Sequence, residues 1–155
     1  MNEYFIVKWL HILSSTLLFG TGIGTAFYLF FISRTRDVHA IAMVARWVVI
    51  ADWWFTATTM VVQPVTGFYL AHLMGVPSDA RWIVWSTVLF VIAAACWLPV
   101  LWLQVRLRDI AVAAAANHQP LPTLYRRHLA IWTALGFPAL LSFLAIFYLM
   151  VAKPY

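Results

Sequence analysis

Residues 129–151 read LAIWTALGFPALLSFLAIFYLMV, a run of 23 positions without a charged side chain. A helix crosses the hydrocarbon core of a bilayer with about 20 consecutive apolar residues, within a range of about 17–25. Three further runs are long and apolar enough, at Tyr4–Ile32, Trp47–Leu73 and Trp82–Val105. The sequence therefore predicts an all-α fold, an integral membrane four-helix bundle that forms one transmembrane domain over residues 1–155.

The composition excludes a water-soluble domain. The chain is 65% hydrophobic and 10% charged, whereas soluble domains are about 45–50% apolar and about 25% charged. The pI near 9.8 does not indicate nucleic-acid binding, because the basic residues lie between apolar runs. Cys96 is the only cysteine, which excludes an intramolecular disulfide. The sequence has no P-loop, GxGxxG, HExxH, CxxC or nucleophile elbow.

The basic residues are distributed unequally between the two ends of the predicted bundle. Cytoplasmic connections carry an excess of Lys and Arg, so the side with more of them is predicted to be cytoplasmic. Both chain termini are then outside, and the protein is predicted to be multi-pass in a bacterial inner membrane. The connections after runs one and three hold seven basic residues and the opposite side holds three: Arg34, Arg36, Arg46, Arg106, Arg108, Arg126 and Arg127, against Lys8, Arg81 and Lys153.

The first candidate site is Lys8-x-x-His11. Side chains three residues apart share one helix face, and His11 falls about two turns inside the outer boundary. Imidazole is a common ligand of haem iron, and a nearby lysine can pair with a haem propionate. The alternative is that Lys8 extends to the headgroups and His11 bonds a hydroxyl or carbonyl group on another helix.

Three glycines and a polar stripe are further candidates. Gly20 and Gly24 form a small-xxx-small pair that suits helix packing, while Gly22 shares the His11 face and leaves room for a flat macrocycle. Polar residues repeat at helical spacing along the second run, and such a face must point into the bundle. It serves ordinary interhelical hydrogen bonding, or Asp52 pairs with an arginine near the cytoplasmic boundary, or Asp52 carries protons. The stripe consists of Asp52, Thr56, Thr59, Gln63 and Thr66.

The remaining histidines differ in position. His72 ends the second run on the same outer side as His11, but on a different face from Gln63 unless Pro64 kinks the helix. His39 and His118 fall in the predicted cytoplasmic connections, where we expect them to be solvated. His128 begins the fourth run at the cytoplasmic interface and is a weaker ligand candidate.

Lys8-Trp9-Leu10-His11-Ile12 and the end of the chain, residues 150–155 (MVAKPY), resemble the HemJ-type membrane protoporphyrinogen oxidases. Arg126, Arg127 and Pro138 fit that family loosely. The chain departs from it at Gly136 and Phe137, where HemJ-type enzymes carry Asn-Glu, and its third run lacks their lysine. The resemblance implies a haem-b site near His11 more firmly than it implies the oxidase reaction.

Most of the chain is similar to a neighbouring family of predicted four-helix membrane proteins of unknown function. The residues that carry this resemblance are Asp52-Trp53, Gln63-Pro64-Val65-Thr66-Gly67 and Phe147-Tyr148-Leu149-Met150.

Together these features predict a membrane b-type haem protein of electron transfer or redox chemistry. His11 is the first axial ligand and His72 the second, Lys8 and Arg81 pair with the propionates, and Gly22 leaves space. The expected partners are the lipid bilayer, a quinol or periplasmic redox protein, and a second copy in a homodimer. The alternatives are a HemJ-like protoporphyrinogen IX oxidase and a cofactor-free membrane scaffold or assembly subunit.

Overall fold

The computed structural model describes residues 2–35 and 37–153. Three residues named above lie outside the described ones. They are Arg36, which was counted among the basic residues, and Pro154 and Tyr155 of the C-terminal motif. The helices are α1 (Asn2–Ile32), α2 (Val38–Ala51), α3 (Ala57–Leu73), α4 (Arg81–Ala116) and α5 (Thr123–Ala152). A π-helical segment, Asp52–Thr56, joins α2 to α3.

The helices confirm the predicted all-α membrane architecture. Because α2, the π segment and α3 are continuous, the described chain has four helices that are long and apolar enough to cross a membrane. An even number of crossings leaves both ends of the chain on one side. That this side is the outer one remains a prediction from the basic residues, and "outer" and "inner" are used below in that sense.

Three helices extend well beyond the apolar runs, among them α5, which begins at Thr123 instead of Leu129. α2 begins at Val38, where the Asp37 carboxylate accepts a hydrogen bond from the Ala40 amide at 3.0 Å. α4 has 36 residues, about 54 Å at about 1.5 Å per residue, against about 30 Å of hydrocarbon. Hydropathy detects only the part of a helix that lies in lipid, so it does not report these polar and alanine-rich extensions.

The buried core lies at the inner end of the bundle. Tyr125 is almost fully buried there, and its hydroxyl is 2.7 Å from the Ser33 hydroxyl. α4 packs mainly on α5 and α2, whereas α3 packs on α1 and has only marginal contact with α4 and α5. The outer half therefore has little contact between α3 and α4, and this weakly packed face is called the open side below. The core consists of Leu29, Ile41, Ala42, Ala45, Val48, Leu103, Leu107, Ala111, Ala115, Tyr125 and Trp132.

The π segment joins α2 to α3 at the point where polar residues face inward. The Ala57 amide donates to the Asp52 carbonyl, five residues back, instead of four as in an α-helix. The Thr58 hydroxyl donates to the Trp54 carbonyl at 2.6 Å, because backbone groups in lipid must find partners within the protein. Asp52 and Thr56 are buried, whereas Trp53 and Trp54 point outward to the lipid.

Candidate functional site

The outer site is centred on His11, in the contact between α1 and α3. His11 Nδ1 lies 2.8 Å from the Thr66 hydroxyl oxygen. The hydroxyl also donates to the Val62 carbonyl at 2.7 Å. A single hydroxyl proton cannot serve both acceptors, so with this bond intact Thr66 accepts from His11 Nδ1–H. The ring then presents Nε2 with its lone pair.

Gly67 makes room for the His11 ring. A Cβ atom built on Gly67 would lie 3.2 Å from His11 Cε1, closer than ordinary van der Waals contact. α1 and α3 approach closely here because position 67 has no side chain. The predicted hydroxyl partner of His11 on another helix is thus present for Nδ1, and the backbone of Gln63 lies beside the ring as a second polar neighbour.

The other predicted haem residues make no hydrogen bond to His11 within the described residues. The Lys8 ammonium group lies 5.5 Å from the centroid of the Tyr4 ring. His72 is exposed on α3, and Arg81 is exposed at the start of α4. Gly22 has open space beside it, with no atom within 4 Å of an added Cβ. His72 as a second ligand therefore stays a prediction, to which the hydrogen bonds of the described residues add no support.

A second polar centre surrounds Asp52. This carboxylate is 5% exposed and accepts a hydrogen bond from Trp97 Nε1 at 3.1 Å. Thr56 and Gln104 lie beside the same carboxylate. Thr56 Oγ1 and Gln104 Nε2 are buried and lack a hydrogen-bond partner among the described residues. The sequence prediction that Asp52 faces the bundle interior is confirmed.

Sequence reasoning did not find Trp97 and Gln104. They lie seven residues apart on α4, so they share a face, and both face Asp52. The available signal was Gln104, an amide within an apolar run. It was missed because the sequence of the helix that carries the polar stripe does not show which other helix packs against it.

The inner histidines do not form a third site. His39 and His118 are exposed, as expected, with ring centroids 5.8 Å apart. His39 and Arg46 line an open surface groove of about 560 Å³ between α2 and α4. The His128 ring stacks edge-on against Trp102 at 5.7 Å. No group of three or more His, Cys, Asp or Glu side chains suited to a metal occurs in the described ranges.

The fold and these two polar centres define a multi-pass helical membrane protein. The chain belongs to the family described as predicted integral membrane protein (DUF2269), which it matches over residues 5–154. This confirms the predicted resemblance to a family of small helical membrane proteins, and it carries no information about HemJ-type enzymes. Neither the curated proteins nor the solved structures gave a significant match.

Proposed function

We propose that this protein binds haem b at the outer side of the membrane, with His11 as an axial ligand, and takes part in electron transfer. The observation that carries the proposal is the contact between His11 Nδ1 and the Thr66 hydroxyl at 2.8 Å. Histidines that ligate metals almost always use their second nitrogen in such a bond, which fixes the tautomer and the orientation of the ring. Nε2 is then the ligating atom.

The residues around His11 fit a haem in part. An added Cβ on Gly22 meets no atom within 4 Å, so there is space along α1 for the edge of a planar group. Lys8 and Arg81 are exposed at the outer end, where cationic side chains can pair with carboxylates at the membrane surface. His72 is exposed on α3, and we propose His11 as the single protein ligand.

A bound haem would supply one-electron chemistry, and the chain would tune it by ligation, burial and charge. The open side between α3 and α4 supports exchange with a partner that arrives within the bilayer, such as a quinol, and the outer surface would serve a periplasmic protein. We propose a bacterial inner membrane as the location, with the orientation that the basic residues predict. Homodimerisation would cover part of the exposed apolar surface.

The decisive experiment is the reduced-minus-oxidised visible spectrum of purified protein after expression with ample haem. We expect haem b bands in the wild type and their loss in His11→Ala. The matched controls are His39→Ala and His118→Ala, which change exposed inner histidines and should leave the spectrum unchanged. His72→Ala should also leave it unchanged if His11 is the only protein ligand.

The alternatives predict other results. A wild type without haem, or an unchanged spectrum in His11→Ala, would refute the haem site and favour the cofactor-free scaffold. Rescue of a strain that lacks protoporphyrinogen oxidase would favour the oxidase. Only the resemblance of residues 8–12 and 150–155 to the HemJ-type enzymes predicts that rescue, and the geometry of the site adds no support.

A further inference from the structure

Asp52 is the buried carboxylate of this protein. Its apolar run begins at Trp47, so the carboxyl group lies about 7–8 Å below the inner interface at about 1.5 Å per residue. A single ionisable carboxyl group inside the bilayer is costly unless it has a functional or structural partner. The chain has five acidic side chains, and the other four are exposed: Glu3, Asp37, Asp79 and Asp109.

No cationic side chain neutralises Asp52 within the described residues, where the one ion pair lies elsewhere, on α4. Arg46 of α2 lines the surface groove, and Arg106 of α4 lies over the Trp102 ring at 5.4 Å. Tyr28 of α1 is exposed. The ionisable groups of α3 are at its outer end. The charge of Asp52 must therefore be balanced by a small cation or by a proton.

The groups around Asp52 favour a proton, rather than a small cation, as the partner that balances its charge. Trp97 Nε1 donates to the carboxylate at 3.1 Å, and Gln104, which is 3% exposed, holds a buried and unpartnered Nε2 beside it. Thr56 adds an unpartnered hydroxyl. N–H groups are donors without acceptor capacity. They stabilise the carboxylate that remains when a proton leaves, and they supply none of the oxygen ligands that a metal ion requires.

A polar path leads from Asp52 toward the outer side. The stripe continues at every turn to Thr66, about 21 Å further along the helix at about 1.5 Å per residue. Gln63 Oε1 of this stripe is buried without a hydrogen-bond partner in the described part of the chain, and so is Ser14 Oγ of α1, the helix that packs on α3. Buried polar groups of this kind are the usual partners of internal water.

We propose that Asp52 is a proton-binding site inside the membrane, which exchanges its proton with the outer side along the polar stripe. The carboxylic acid gives its proton to a water molecule, which becomes hydronium. The carboxylate that remains accepts hydrogen bonds from Trp97, Gln104 and Thr56. Reprotonation reverses these steps, so no oxidant or other reactant is needed. The site is independent of haem and can be measured in protein without it.

The test is infrared spectroscopy of the purified protein in lipid over a range of pH. Because the other side-chain carboxylates are exposed, Asp52 should give a distinct carboxylic C=O band that titrates. The band should shift to lower frequency in D₂O and disappear in Asp52→Asn. Asp79→Asn, which changes an exposed carboxylate in the turn before α4, is the control and should leave the band intact.

The outcomes separate the possibilities. A band that is absent at every pH, or one that never titrates, overturns the proposal. A band lost on addition of Na⁺ at constant pH identifies a cation site and also overturns it. If Asp52→Asn does not fold, the D₂O shift of the wild-type C=O band still shows whether the carboxyl group exchanges its proton. Gln63→Leu should slow that shift, and an unchanged rate refutes the outer path.

Discussion

The contact between Gly67 and His11 predicts that one added methyl group will disturb the outer site. In Gly67→Ala the new Cβ would lie 3.2 Å from His11 Cε1, whereas carbon atoms prefer about 3.5–4.0 Å. The ring must retreat by a few tenths of an ångström, which lengthens its bond to Thr66. Hydrogen bonds between membrane helices average about 0.6 kcal/mol, with a maximum of about 1.7. The gain in helix propensity from Gly to Ala is common to any helical site, so we expect Gly67→Ala to be less stable than Gly22→Ala by about 0.5–1.5 kcal/mol.

Gly22→Ala is the matched control, because it adds the same methyl group to a membrane helix where no atom lies within 4 Å. Thermal unfolding in one detergent should separate the two variants, with Gly67→Ala the less stable. If haem is bound, its affinity should also fall about 10–100-fold in Gly67→Ala, the usual effect of disturbing the partner of a ligating histidine. Equal stability of the two variants would refute the close packing of His11 on α3.

Two further predictions concern Asp52 and the orientation in the membrane. Trp97→Phe keeps an aromatic ring but removes the donor at 3.1 Å, so unfolding in detergent should show a loss of about 1–3 kcal/mol; wild-type stability would mean that the bond contributes nothing. A reporter fused after Lys153 should be active only if it requires the periplasm, and activity of a cytoplasmic reporter there would reverse the orientation.

The sequence predicted the fold well because lipid imposes a simple rule. An uninterrupted apolar run of the required length has few alternatives to a spanning helix, as residues 129–151 illustrate. The helix ends were less predictable: the Asp37 cap and the extension of α4 to Ala116 depend on contacts outside the hydrocarbon, where hydropathy carries no information.

The candidate site was predictable only where one helix contains the signal. The 3.6-residue period placed Asp52 and Gln63 on one face, and both point inward. The pairing of His11 with Thr66 depends on the register between two helices, which the sequence of each helix does not encode. The π segment was not predicted at all, because it differs from an α-helix by one residue within an unbroken apolar pattern.

The π-helical segment Asp52–Thr56 has a consequence for how this family can tolerate deletions. Removing one residue from a membrane α-helix rotates everything beyond it by about 100°, which would move Thr66 away from His11. In a π turn the extra residue is already accommodated, so deletion of Phe55 would convert the turn into α-helix and leave the two flanking helices in register. Relatives one residue shorter at this point can therefore keep the whole bundle, with Asp52 still on the inward face that Ala45 and Val48 of α2 begin.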